Sequence, residues 1–331
     1  MFSRASYFGA LVLASCAFQV IKTQSFFVGI TSRLYEADTV HVVFIGYSLS
    51  RYQFLALAYR ALGVGDRTPD YMLSERMFDD WHTFYVNTTA ELKWCVCDCF
   101  RTSEVLAIDD PFVTTRENRH CKRGGTTLSY FQLFGDTFSM HGKQLPNETQ
   151  YSSIASEVQH DVWRYENVSD FFLNYAIRLV PKPTAIVLNA GLWGHEGILR
   201  ELPAVLSAAK VAGSYVFWKE TSPRLSELQA LKAERPDFIE QNVSLLAQRH
   251  SAFKALLDID ETAYKLCRMG KCTYIPFPKL IPIDFFAGNE LDYWDDVHFS
   301  SGRVYDYWND HVVAAINAAL HRKIPNFGGH R

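Results

Sequence analysis

The stretch Val42-Val43-Phe44-Ile45-Gly46-Tyr47-Ser48 constrains this 331-residue chain more than any other. Its first four residues are β-branched or aromatic and show no polar alternation, so they predict a strand buried on both faces. Such a strand belongs in a mainly parallel sheet with helices above and below it. The rest of the chain agrees. Val40–Ile45, Thr126–Leu133, Thr184–Leu188 and Ser214–Trp218 read as strands. They alternate with helical stretches at Ser50–Leu62, Val168–Leu179, Gly197–Ala212, Val243–Leu257 and Arg303–His321. The last of these carries Val304, Trp308, Val312 and Ile316 at four-residue spacing, one apolar stripe for packing on a sheet. The expected fold is α/β: a three-layer α/β/α sandwich with a mainly parallel central sheet and residues 40–45 as a central strand. Residues 64–165 show few clear periods and are expected to form an irregular, Cys-containing insertion around one or two strands. Without repeats or Pro/Gly/Ser linkers, residues 31–331 are expected to be one domain.

Composition narrows the class. With 48% hydrophobic and 15% aromatic residues, disorder and coiled coil are excluded. Net charge is −3, and Lys and Arg are spread along the chain, so no nucleic-acid partner is expected. Residues 1–30 have the marks of a targeting segment. Arg4 precedes an apolar stretch from Tyr7 to Ile21, and Lys22 follows. That length suits a signal peptide, with Ser15-Cys16-Ala17 as a small-residue cleavage site. The further apolar run Phe26–Ile30 leaves a single N-terminal membrane anchor as the alternative. Sequons at Asn87, Asn147, Asn167 and Asn242 point the same way. So do the six cysteines beyond Cys16, namely Cys95, Cys97, Cys99, Cys121, Cys267 and Cys272. The expectation is a disulfide-bonded glycoprotein of the secretory pathway, either in the Golgi or ER membrane or secreted. Cys95-Val-Cys97-Asp-Cys99 has only single-residue spacers and no matching Cys/His pair follows, so no metal and no cofactor are expected.

Three stretches carry candidate chemistry, each at a strand exit or a helix entry. Ser48 follows the first strand by two residues. It suits a helix N-cap, and it suits a nucleophile too, because helix-start N–H groups hold an oxyanion well. Asn189 ends a second buried strand at the carboxyl edge, where its amide either satisfies a turn or faces a developing negative charge. Asp295-Asp296-Val297-His298 precedes the last helix; a D-x-x-H spacing lets an aspartate orient an imidazole that takes a proton from a serine. His195 is a rival base, and Asp292 and Asp296 are rivals to Asp295.

In order, these stretches resemble the SGNH (GDSL-like) esterase superfamily, specifically its PC-esterase and trichome-birefringence-like branch. Gly46-Tyr47-Ser48-Leu49-Ser50-Arg51 is similar to that branch's G-D-S-x-x-R. Asn189-Ala190-Gly191-Leu192-Trp193 is similar to N-x-G-x-W, and Thr221-Ser222-Pro223 to the end of its next strand. Asp295 and His298 match its D-x-x-H. The resemblance implies an SGNH-hydrolase, flavodoxin-like fold with Ser48 as nucleophile, His298 as general base and Asp295 as its orienter. It also implies an oxyanion hole from the Ser48 N–H, Asn189 and a second-block glycine, here assigned to Gly125 with Gly124 as the alternative. Gly46, Tyr47, Arg51, Gly191 and Trp193 would support the substrate or the loop. Tyr47 departs from the family's aspartate. It is too large to copy a small acceptor, so it is expected to turn outward or line the acyl pocket. The implied activity is acyl transfer through a seryl-acyl intermediate on O-acylated glycans, as O-acetyltransferase or acetylesterase, with an acyl donor as a further partner. The alternative is a glycan-binding relative that has lost turnover.

Overall fold

The computed structural model describes residues 39–101, 115–133, 138–141, 162–190, 196–222, 224–226, 229, 233, 254–276 and 293–321. The N-terminal apolar segment, Asn147, Gly191, Trp193, His195, Pro223, Asn242 and Asp292 lie outside them. Among the described residues, no helix is long and apolar enough to cross a membrane.

Strand β1 (Val40–Gly46) is buried along its whole length, as its lack of polar alternation predicts. It lies fourth of the seven strands described in the main sheet. On one side it pairs in parallel with β4 (Thr126–Gln132), whose antiparallel neighbours are β3 (Thr115–Arg123) and then β2 (Cys95–Arg101). Its other side carries β7 (Ala185–Leu188), β8 (Tyr215–Lys219) and β9 (Thr273–Ile275), all parallel. Only β3 runs against the rest, so the sheet is mainly parallel and its carboxyl edge gathers the ends of β4, β1, β7, β8 and β9. Strands β5 (Phe138–His141) and β6 (Val162–Tyr165) form a separate two-stranded antiparallel sheet, whose Phe138 and Tyr165 join the apolar core.

Pleating divides the core. Val40, Val42 and Phe44 belong to one apolar layer with helices α1 (Ser48–Ala61), α2 (Trp81–Leu92) and α6 (Gly302–His321). Val43 and Ile45 belong to the other, with α3 (Val168–Asn174), α4 (Glu196–Ala212) and α5 (Lys254–Arg268). The stripe of Val304, Trp308, Val312 and Ile316 on α6 is buried. Helix α1 is buried nearly all round, because it lies between the sheet, α2 and α6.

Residues 64–165 depart from expectation. Their described part supplies α2 and three strands of the main sheet. The reason is compositional: β2 and β3 bury Asp98, Arg116, Glu117, Asn118 and Arg119 as mutually paired groups, so neither strand displays an apolar run. Of the stretch Val243–Leu257, residues 243–253 lie outside the described residues, and 254–257 are helical, in a helix that runs Lys254–Arg268. The six cysteines form three pairs, Cys95 with Cys121, Cys97 with Cys99, and Cys267 with Cys272.

The Cys95–Cys121 bond joins β2 to β3 over a sequence separation of 26. Loop-closure entropy for that separation is worth about 3.5 kcal/mol. The double variant C95A/C121A is therefore expected to lose about that much in urea unfolding, with a steeper slope on denaturant because its unfolded chain exposes more surface.

Candidate active site

The site begins where β1 ends. The chain must turn at Gly46 against the neighbouring strand exit: a Cβ there would lie 2.7 Å from the Asn189 carbonyl oxygen and would collide with the Ser50 hydroxyl. Only glycine fits. Tyr47 takes the extended N-cap position without a side-chain cap, and α1 starts at Ser48. Ser48 is thus the first helical residue and not the cap. Its hydroxyl is free of capping duty, and its N–H is one of the helix-start donors with no intrahelical acceptor. The turn is held from below by the Tyr130 phenol, which donates toward the Gly46 carbonyl at 3.1 Å and the Tyr47 carbonyl at 3.2 Å.

His298 arrives from the other end of the chain. The loop before α6 is closed by a bridge between Tyr293 and Phe299 and by the Trp294 N–H donating to the His298 carbonyl at 3.0 Å. Helix α6 packs beside α1, which brings the loop over the start of α1. The Asn309 amide donates to the Gln53 carbonyl at 2.9 Å, and Arg60 donates to Asp310 at 3.0 Å. His298 Nε2 then lies 2.7 Å from Ser48 Oγ, and Nδ1 lies 2.7 Å from Asp295 Oδ2. The other Asp295 oxygen accepts the backbone N–H groups of Val297 at 2.7 Å and His298 at 2.8 Å.

Electrostatics assigns the protons. Burial pushes the Asp295 carboxyl up, but the hydrogen bond and charge of His298 and the two backbone N–H groups bring it down to about 2. An ionised carboxylate only accepts, so Nδ1 carries the hydrogen toward it. In the neutral ring Nε2 is left as the acceptor facing the Ser48 hydroxyl, the arrangement that general-base activation of a serine requires. Two aromatic rings flank the imidazole. Tyr52 meets it edge-on at 5.6 Å, and Trp294 stacks on it at 4.9 Å and 19°.

Arg51 braces the turn from inside the core. It donates to Glu117 at 3.1 Å and to the Tyr52 phenol at 2.9 Å, and Tyr52 donates onward to Glu75. Glu117 also accepts from Arg119 at 2.8 Å.

Three expectations are corrected, and one rival is placed elsewhere. Gly125 lies at the far edge of the sheet: the Val40 N–H donates to its carbonyl, and β4 runs from there parallel to β1. Seven strand residues put it roughly 20 Å from Ser48. A glycine placed before a parallel strand cannot serve the carboxyl edge; the next one after β4 in sequence is Gly135, outside the described residues. Asn189 does sit at that edge, but its amide donates to the Lys219 carbonyl at 2.9 Å and to Thr221 Oγ1 at 3.2 Å. The carbonyl only accepts, so the amide orientation is fixed and both hydrogens are spent within the protein. Tyr47 does not turn outward; it is buried in the core layer of Val43, Ile45, Phe131 and Leu133. Asp296 turns away, accepting the Ser226 N–H at 2.8 Å.

Sequence reasoning also missed Lys219, Trp294 and Arg76. Nothing in their spacing marks them, because each acts by tertiary contact. Lys219 ends β8 and is 1% exposed, with its amine 3.4 Å from Ser50 Oγ and 4.1 Å from the centre of the Trp308 ring. Among the described residues, no group of three or more His, Cys, Asp or Glu side chains is placed to hold a metal ion. No family model, curated protein or solved structure matches the chain.

Two predictions follow from burial at this edge. Desolvation lowers the Lys219 amine to about 7 against a weaker opposing pull from Asp260. Above the unfolded value of 10.5 both states are neutral and the shift costs nothing. As pH falls from there toward 7, the unfolded chain gains a proton that the folded one refuses, so the penalty grows to a few kcal/mol and then levels off. Lys219→Met should therefore be more stable than wild type in thermal unfolding at pH 7, with the gain fading toward pH 10.5. Tyr47→Asp places a carboxylate in a buried apolar layer and should cost about 3 kcal/mol in urea unfolding, whereas Tyr47→Phe should cost about 1.

Proposed function

We propose that this protein performs serine-dependent acyl transfer through a seryl-acyl intermediate, with Ser48 as nucleophile, His298 as general base and Asp295 as its orienter. The observation that carries this reading is the continuous hydrogen-bond chain from Ser48 Oγ through both nitrogens of His298 to Asp295, 2.7 Å at each link. In the forward step the Ser48 oxygen bonds to the acyl carbon, its proton passes to His298 Nε2, and the carbonyl electron pair moves onto the carbonyl oxygen. Collapse expels the alcohol, which takes the proton from His298. The Ser48 N–H, at the positive end of α1, is the oxyanion donor present among the described residues. Water as acceptor gives an esterase, and a sugar hydroxyl gives a transferase. Resemblance to the PC-esterase and trichome-birefringence-like branch supports an O-acylated, O-acetylated glycan as substrate. The cysteine pairs and sequons support work in the lumen of the secretory pathway or outside the cell.

A second reading, a glycan-binding relative without turnover, draws on the commitment of both Asn189 amide hydrogens to Lys219 and Thr221. Labelling separates the two. Under the first, a fluorophosphonate modifies wild-type protein at Ser48, Ser48→Ala abolishes it, Ser50→Ala retains it, and His298→Ala slows it by about 10³-fold or more. Intact-protein and peptide mass spectrometry reads the outcome. A wild type that resists the reagent while binding acetylated glycan supports the second reading.

A further inference from the structure

His298 lies in a layered stack whose outer members the acid–base chain does not use. Trp294 covers one face of the imidazole at 4.9 Å. The Arg76 guanidinium lies 4.4 Å from the centre of the same indole and donates to the Trp294 carbonyl at 3.3 Å. Arg76 and His298 therefore share one indole as neighbours. Ser48 and Asp295 are bonded to the ring nitrogens of that imidazole.

An indole face is electron-rich and attracts a cation, and indole is the strongest of the aromatic side chains in this respect. Here two cationic groups compete for one π system. Arg76 is always charged; His298 is charged only after it has taken a proton. We propose that Trp294 is a positioning residue that stabilises the imidazolium form of His298, and that Arg76, a cation against the same indole, limits that stabilisation. The inference deepens the acyl-transfer reading, because imidazolium is the state His298 passes through while Ser48 attacks. Without Arg76 the imidazolium would hold its proton more firmly and return it to the leaving alcohol less readily. Without the indole the ring would be a weaker base toward Ser48.

The other groups facing the imidazole fix the background for this effect. Asp295 stands on Nδ1 and Ser48 on Nε2, while the buried Tyr52 phenol of α1 presents its edge. Behind Tyr52 are Arg51, Glu75 and the Tyr305 ring of α6. Arg51 and Glu75 are bonded to Tyr52 on either side, so that pair stays balanced when Trp294 or Arg76 is replaced.

The test is a direct NMR titration of the His298 ring in ring-labelled full-length protein, with His298→Asn assigning the resonance. The variants are Trp294→Phe, Trp294→Leu and Arg76→Gln. The Phe/Leu comparison keeps the site filled and removes only the π face. The His298 midpoint should be lower in the Leu than in the Phe variant by about half to one pH unit, and Arg76→Gln should raise it by several tenths of a unit. Equal midpoints in the Phe and Leu variants, or a midpoint that does not rise in Arg76→Gln, overturn the proposal. Should Trp294→Leu fail to fold, Arg76→Gln still decides, because that side chain is exposed. Fluorophosphonate labelling of the same samples keeps the two ideas apart. Shifted midpoints with an unlabelled Ser48 sink the acyl-transfer reading and leave the stack standing, whereas labelling with unmoved midpoints does the reverse.

Discussion

A guanidinium taken out of water must be paired, and the pairing of Arg51 determines where the serine turn lies. Arg51 and Glu117 have side chains 2% and 0% exposed, and their bond ties the first turn of α1 to β3. Removing Glu117 would take the carboxylate from two buried guanidiniums, Arg51 and Arg119, a cost of about 3–5 kcal/mol. Arg119 satisfies the other Glu117 oxygen and reaches the Thr88 hydroxyl on α2 at 3.0 Å. One ionic knot thus joins α1, α2 and β3 beneath the site. It also explains why β3, so polar in sequence, is an interior strand.

From that anchor the geometry of the site follows with little freedom. Arg51 is three residues beyond Ser48, so fixing one fixes the other to within a helical turn. Gly46 lets the chain pass the Asn189 carbonyl, and the Tyr130 phenol holds the two carbonyls of the turn. Ser48 is left with its hydroxyl toward the loop that precedes α6 and its N–H at the helix start. The loop is constrained independently, by the Tyr293–Phe299 bridge and by Asp295 accepting two of its own backbone N–H groups. Two rigid pieces meet at one hydrogen bond. Preorganisation of this kind is what a serine nucleophile requires, since the proton must move without prior rearrangement.

The carboxyl edge also shows what the site holds at an energetic cost. Lys219 is buried beside Ser50 and Trp308, and desolvation drives it toward the neutral amine. Its carbonyl engages the Asn189 amide, which in turn engages Thr221, and Thr221 Oγ1 lies 3.4 Å from Asp260. Asp260 also accepts from the Trp218 indole at 2.9 Å. The ends of β7 and β8 are therefore joined to α5 by one polar network. Asn189 serves that network, which locks the edge and consumes the donors that a resemblance to SGNH esterases would assign to an oxyanion.

The sequence by itself determined the sandwich and its edge. An apolar run such as Val42–Ile45 without alternation can only be buried on both faces, and the four-residue stripe of α6 can only pack on a sheet. Ser48, Asn189, Asp295 and His298 stood out because each follows a strand or precedes a helix, where function-bearing side chains collect. What the sequence could not convey was anything that depends on a partner distant along the chain. The strands β2 and β3 were hidden because paired charges replace apolar alternation there, and charge pairing across strands has no sequence period. Gly125 looked suitable until the direction of β4 placed it at the opposite edge. Tyr47 looked like a departure at the site until packing turned it into the core. The tertiary structure alone decided that Ser48 and His298, 250 residues apart, share a hydrogen bond. The contact exists because α1 and α6 pack side by side, and helix packing is settled by shape and burial in three dimensions, not by spacing in one.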